Sequence, residues 1–402
     1  MTFIDTRQSN LGRILPLGDV TEAVATTNPA TRNLGRNFNY IDLSAIDQDK
    51  KLISGARSVV ATEAPSRARQ VVHTGDVLVS TVRPNLNGVA KVEVDHDGYV
   101  ASTGFCVLRP KQGKLDPGFL FHWVRSPRFI DAMVNRATGA SYPAVSDAIV
   151  RSSHIPCPPI AEQRRIVAIL DQADGLWGKR VVAAANIKLL REAVFQDMFG
   201  DPMRNVMGYQ TSRLGCLVDG SRGISYGIVQ RGPDQDEGVG VLRISDIAGG
   251  TVNANKLKLT TAQIAGRFKR TRLLGGELVI SIRGTIGVVA IVPDEIFGAN
   301  VSRELAVIPL KEGVSRTFMR DLLSTKTVQQ RIVDDVRGIA QSGINLEDLR
   351  ELSIICPPVS FVSEYERRVG VVEELERREM LSVSFSAKLF ASLQHRAFRG
   401  EL

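Results

Sequence analysis

Cys157 and Cys356 each precede a Pro-Pro pair, and a thiol so placed is the first candidate for nucleophilic chemistry in this 402-residue chain. A cysteine needs a nearby base or cation to become a thiolate. His154 stands before Cys157, but nothing equivalent stands before Cys356, so buried, inert thiols are expected. Cys106 and Cys216 are remote from both, and no CxxC pair exists, so neither a zinc site nor a disulfide framework is indicated. The proline pairs lack the preceding Asn or Asp and the following aromatic residue of an adenine-methylating motif. No GxxxxGK[ST] loop is present to cradle a nucleoside triphosphate. No catalytic residue, metal or cofactor is expected.

What remains is the chemistry of recognition. Phosphates are gripped by Arg, Lys, hydroxyls and backbone N–H groups, and base edges are read by Arg, Asn and Gln. Arg83, Asn85 and Asn87 lie in a Pro-Asn-Leu-Asn-Gly turn, with Ser141 and Tyr142 after Gly139. Arg283 and Thr285 lie in an Arg-Gly-Thr-Ile-Gly turn, with Gln341 and Ser342 after Gly338. Arg222, Tyr226 and Arg231 occupy a glycine-rich, mostly acid-free stretch and complete the candidate set. The structural alternative is that Asn and Gly simply build these turns while the arginines pair with carboxylates. The net charge of +8 is unevenly placed: residues 1–157 hold 18 Lys and Arg against 14 Asp and Glu, and residues 203–356 hold 20 against 16. The segments between and after are balanced. Two basic regions suit a chain that touches a polyanion at two places.

These residues sit on a tandem repeat with an offset of about 200 residues. Gly75-Asp-Val-Leu-Val-Ser-Thr-Val-Arg83 is echoed by Gly276-Glu-Leu-Val-Ile-Ser-Ile-Arg283, and Cys157-Pro-Pro by Cys356-Pro-Pro. Pro110, Phe119 and Gly139 recur as Pro309, Phe318 and Gly338. Each copy begins with short Val, Ile and Leu strands broken by Gly and Asn turns, then shows helical spacing over 117–135 or 314–336. The Pro-Pro pair ends the globular part.

A long helix is expected from 160 to about 198. Apolar residues recur every seven positions at Ile166, Ala173, Ile187 and Val194, and again at Ile169, Leu176, Ala183 and Leu190. Arg180 interrupts the first stripe, and Gly175 and Gly178 each weaken the helix by about 1 kcal/mol, which predicts a local bend or polar contact there. A second long helix is expected over about 363–395, opening on a capping-box spacing at Ser363-Glu-Tyr-Glu366. Its stripe includes Val369, Val372, Leu375, Val383 and Leu389. Paired antiparallel, helices of this length make a ruler of roughly 50 to 58 Å, against about 34 to 36 Å for one turn of DNA. The fold class is therefore α+β, with two pseudo-repeated mixed α/β domains at 1–157 and 203–356 joined by antiparallel coiled-coil-like helices within 158–202 and 357–402. No spanning apolar run or leader-like start is present, which predicts a cytoplasmic protein.

The segment Ile155-Pro-Cys-Pro-Pro-Ile-Ala-Glu-Gln-Arg-Arg-Ile-Val167 resembles the conserved region of type I restriction-modification specificity subunits. The GDVLVS and GELVIS strands, Phe195-Gln-Asp-Met-Phe-Gly-Asp-Pro202 and the ending Ser392-Leu-Gln-His-Arg-Ala-Phe-Arg-Gly-Glu-Leu402 are similar too, so the resemblance covers nearly the whole chain. It implies two target recognition domains, each reading half of a split sequence in double-stranded DNA. It also implies spacer helices that bind two modification (methyltransferase) subunits, with restriction (translocase and nuclease) subunits beyond them. Glu162, Gln163, Arg164 and Arg165, with Arg367 and Arg368, are the partner-binding candidates on that basis. The second copy departs from the pattern, since Val359-Ser-Phe-Val-Ser-Glu-Tyr-Glu-Arg-Arg368 lacks the Glu-Gln pair. A duplicated protein-binding scaffold without DNA affinity is the alternative, and salt dependence separates the two.

Overall fold

The computed structural model describes residues 12–31, 37–139, 141–337 and 343–402. The chain forms two compact units, residues 1–182 with 381–402, and residues 183–380. Gln341 and Ser342 lie outside the described residues.

In the first unit, β1 (Val77–Ser80), β2 (Val89–Lys91) and β3 (Phe105–Pro110) form an antiparallel sheet with Thr21–Glu22, in which β1 lies between β2 and β3. Val77, Leu78 and Val79 are all buried, as a strand covered on both faces requires. A second sheet runs in the order Arg57–Val60, Asn37–Ile41, Val100–Ser102, Ala68–Val71. The stretch Arg13–Pro16 pairs antiparallel with His154–Cys157.

The second unit repeats this plan. Its β4 (Leu278–Ser281), β5 (Val289–Ile291) and β6 (Leu305–Ile308) pair in the same order, with Ser225–Tyr226 at the edge. Gln210–Arg213 pairs with Ser353–Cys356, placing Cys356 where Cys157 lies in the first unit. Gly75 and Gly276, which open the repeated strand, both have positive φ, 90° and 76°, a backbone that excludes most side chains.

Both long helices are present. The central helix runs unbroken over Ile160–Phe199, through Gly175 and Gly178. The C-terminal helix spans Val359–Ala397. It starts four residues before the expected capping box, directly after Pro357-Pro358, so Ser363 and Glu366 lie inside the helix and Glu366 accepts from the Ser315 hydroxyl at 2.5 Å instead of capping a terminus. The helices run antiparallel. In the first unit Arg165 reaches the Leu402 carbonyl at 2.9 Å and Trp177 stacks on Phe390. In the second, Arg191 meets Glu376 at 3.4 Å and Phe195 packs edge-on to Tyr365.

The seam differs from the apolar count in one respect. The first stripe is buried or half-buried at Ile166, Ala173, Ile187 and Val194, but Leu176 and Leu190 of the second are exposed. The inward positions lie one residue later, at Leu170, Trp177, Ala184 and Arg191. Arg191 answers carboxylates there, so a charged residue holds a seam position that an apolar tally passes over.

Each unit draws part of its core from the end of a long helix or the residue just beyond it. Phe398 packs edge-on to Phe119 and Trp123 in the first, and Phe199 to Phe318 and Tyr365 in the second.

Candidate nucleic-acid interface

The chain leaving β1 turns through Arg83, whose backbone is left-handed at φ 50° and ψ 62°. Such a conformation costs a non-glycine residue roughly 1 to 3 kcal/mol and persists only where its surroundings enforce it. Here the Arg83 N–H donates to the Pro143 carbonyl at 2.7 Å and Val145 N–H to Thr81. These bonds dock the second candidate loop against the first. The Arg83 guanidinium lies 4.7 Å from the centre of the Tyr142 ring. Arg83, Asn85, Ser141 and Tyr142 are all exposed, so four of the five candidates of the first copy share one rim of the sheet.

Asn87 does not join them. It is 8% exposed, and its amide donates to the Val124 carbonyl at 2.9 Å, closing the end of helix Pro117–Val124. The turn-building alternative applies to this residue, and it is withdrawn from the recognition set.

In the second unit Arg283 and Thr285 occupy the matching turn and are exposed. Ile344 N–H donates to the Ile282 carbonyl, so the neighbouring loop returns beside this turn as well. Tyr226 is half exposed at the sheet edge. Arg222 is a correction: its guanidinium is largely buried, 2.6 Å from Glu277 and 2.7 Å from the Arg272 carbonyl. Arg231 is also spent internally, on Asp234 and the Leu259 carbonyl. Neither offers a free fork to a ligand.

The structure adds one group absent from the candidate set. Arg267, Lys269, Arg270 and Arg272 are exposed, and none has a carboxylate partner among the described residues. The signal was legible as the run Arg-Phe-Lys-Arg-Thr-Arg, the densest positive charge in the chain.

Residues 14–177 and 235–360 match the family described as the type I restriction modification DNA specificity domain. The chain belongs to that family. The type I restriction enzyme EcoBI specificity subunit of Escherichia coli is 24% identical over 325 residues, covering 74% of this chain and 68% of that one. The EcoKI specificity subunit of Escherichia coli strain K12 is 23% identical, covering 83% and 76%. A chain solved in work on complex assembly and conformational transition of the type I R-M system is 26% identical with a TM-score of 0.60, covering 97% of this chain and 98% of that one. The type I system S subunit from M. genitalium, 13% identical with a TM-score of 0.55 over 96% of each chain, shares the fold. The protein is thus a DNA sequence-specificity subunit of a type I restriction-modification system.

On the helices of this specificity subunit the partner candidates separate. Gln163 is fully buried: its carbonyl accepts from Asp116 N–H at 2.8 Å, and its amide donates to the Lys114 and Pro158 carbonyls. It fastens the helix start to its own domain and is withdrawn as a partner contact. Glu162 pairs with Arg165, and Arg164, Arg165, Arg367 and Arg368 remain at the surface. Exposed apolar residues join them, Leu176, Val182 and Phe385 in the first unit and Leu189, Val371 and Met380 in the second.

Of the four thiols only Cys106 is buried; Cys157 and Cys356 are half-buried and Cys216 is exposed. Burial pushes the Cys106 thiol up to about 12 and raises those of Cys157 and Cys356. Among the described residues no cluster of metal-ligating side chains occurs, and no helix is long and apolar enough to cross a membrane.

Proposed function

We propose that each unit reads one half of a split, asymmetric site in double-stranded DNA through the rim at the end of its central sheet. In the first unit the readers are Arg83, Asn85, Ser141 and Tyr142; in the second they are Arg283, Thr285 and Tyr226. The observation that carries this reading is that two unlike loop sequences occupy one repeated frame, each presenting donors at the same place. An identical frame with different readers is what an asymmetric target needs. Good bidentate contacts discriminate by about 1 to 3 kcal/mol each, and two readers on one chain gain from effective concentration only when the half-site spacing suits them.

The chain acts in this reading as a non-catalytic, cytoplasmic subunit that positions two adenine-modifying subunits and the restriction subunits. The exposed arginines and apolar residues of the long helices are the docking surface, because exposed large apolar side chains are concentrated along these two helices beyond their seam rather than scattered singly over the molecule. Co-expression with the candidate methyltransferase subunit in a host lacking N6-methyladenine, followed by mapping of the modified base, tests it. A single split motif with a fixed gap is expected. A stable complex that yields no motif counts against the reading role, and the lack of any complex favours a scaffold for other proteins.

A further inference from the structure

We infer that the segment Arg267–Arg272 is a DNA-phosphate strip of the second unit, held in shape by the buried Arg222–Glu277 clamp. The inference rests on the DNA-reading function proposed above and adds where that unit grips the backbone. Within six positions, Arg267, Lys269, Arg270 and Arg272 face solvent, while Thr271 is 1% exposed and bonded to Asn300 at 2.6 Å. Asn300 in turn donates to the Phe268 carbonyl. The backbone is thus pinned inward at 268 and 271, and the cations are turned outward.

Arg222 completes the pinning. One guanidinium nitrogen meets Glu277 at 2.6 Å, and the others reach the Arg270 and Arg272 carbonyls at 3.3 and 2.7 Å. The first unit builds the same clamp from another part of the chain. There Arg109, on β3, forks onto Asp76 at 2.7 and 2.9 Å and reaches the Val71 carbonyl. Asp76 and Glu277 are equivalent in the repeat, and Val71 matches the segment around 271. The two arginines are not equivalent, yet each ties the same carboxylate to the same segment. What both copies preserve is the tie between that carboxylate and that segment, which is a strand (Ala68–Val71) in the first and a tight helical turn (Lys269–Thr271) in the second. In the first copy it carries Arg67 and Arg69, the latter bonded to Asn28; in the second it carries four exposed cations.

A turn placed only for solvation needs no buried clamp. Fixing the backbone beforehand lowers the ordering cost when phosphates bind. Tyr226, half exposed on the strand packed beside Lys269–Thr271, adds a hydroxyl and a flat face to the same surface. The second unit accordingly supplies more of the sequence-independent affinity than the first.

The test uses the full-length chain and a labelled duplex of arbitrary sequence, with affinity measured by anisotropy over a series of potassium chloride concentrations. The variant carries Arg267→Gln, Lys269→Gln, Arg270→Gln and Arg272→Gln together, all at the surface. The control carries Arg377→Gln and Arg378→Gln, exposed cations already paired with Glu374. Each lost phosphate contact removes about 0.9 from the slope of log affinity against log salt, so a fall of roughly 2 to 4 is expected for the quadruple variant and none for the control. Equal slopes for wild type and quadruple variant overturn the strip. Absence of salt-dependent binding by the wild type overturns the DNA reading itself, and the strip with it. Arg222→Lys keeps a charge against Glu277 while losing the fork to the carbonyls. Its expected result is several-fold weaker binding with the slope retained and a lowered thermal midpoint, and wild-type affinity removes the clamp from the inference.

Discussion

Tyr142 owes its place to a strained neighbour. The left-handed Arg83 directs its guanidinium over the Tyr142 ring, leaving the ring 68% exposed with one face covered. Under the proposed function, Tyr142→Ala relaxes base preference in one half of the modified motif and leaves the other half intact, which methylation mapping reads directly. Away from the rim, fully buried His122 places Nε2 2.7 Å from Asp171 Oδ1, between Phe121 and Phe390. The hydrogen bond to His122 is the main cause holding the Asp171 carboxyl below its ordinary 3.8. A depressed carboxylate contributes stability above its unfolded value and loses it as pH falls through the folded one. Asp171→Asn is therefore expected to lower the thermal midpoint at neutral pH, with the gap from wild type closing as the pH drops below that range. A gap that stays constant from neutral pH down to the acid limb counts against the pairing.

The long helices act at the element scale as core donors as well as connectors. Phe398, 3% exposed, lies 5.3 Å from Phe119 and 5.0 Å from Trp123 between ring centres. Truncating a buried aromatic costs about 3 to 5 kcal/mol, so Phe398→Ala is expected to destabilise the first unit by that order. Amide exchange should rise around residues 117–134 and stay unchanged around 316–337, because the second unit takes its aromatics from Phe195 and Phe199. The seam between the helices shows where periodicity misleads. An apolar tally selects Leu176 and Leu190, whereas the helix turns Trp177 and Arg191 inward. Arg191 is admitted because Glu373, Glu376 and Asp321 stand within 4.0 Å of it, and such partners belong to other elements.

The duplication gives the whole molecule its logic of two readers in one chain. If each unit reads its own half-site, exchanging residues 203–356 for the corresponding segment of another family member replaces one half of the methylated motif and preserves the other. A change in both halves would mean that the units do not read independently. The two copies also diverge where chemistry demands it, since Arg109 and Arg222 neutralise equivalent carboxylates from different positions.

The repeat, the paired strands, the two long helices and the family were legible in the sequence, because periodicity, glycine placement and motif spacing are local properties. Residue type and turn alone make Arg83, Asn85, Tyr142, Arg283 and Thr285 recognition candidates, and the folded chain leaves them exposed. Asn87, Gln163 and Arg222 have the same polar character, but tertiary structure sends them inward to Val124, Lys114 and Glu277. Residue type states what a side chain can bond to. Which partner it meets depends on residues tens of positions away, and only the packed chain brings those together.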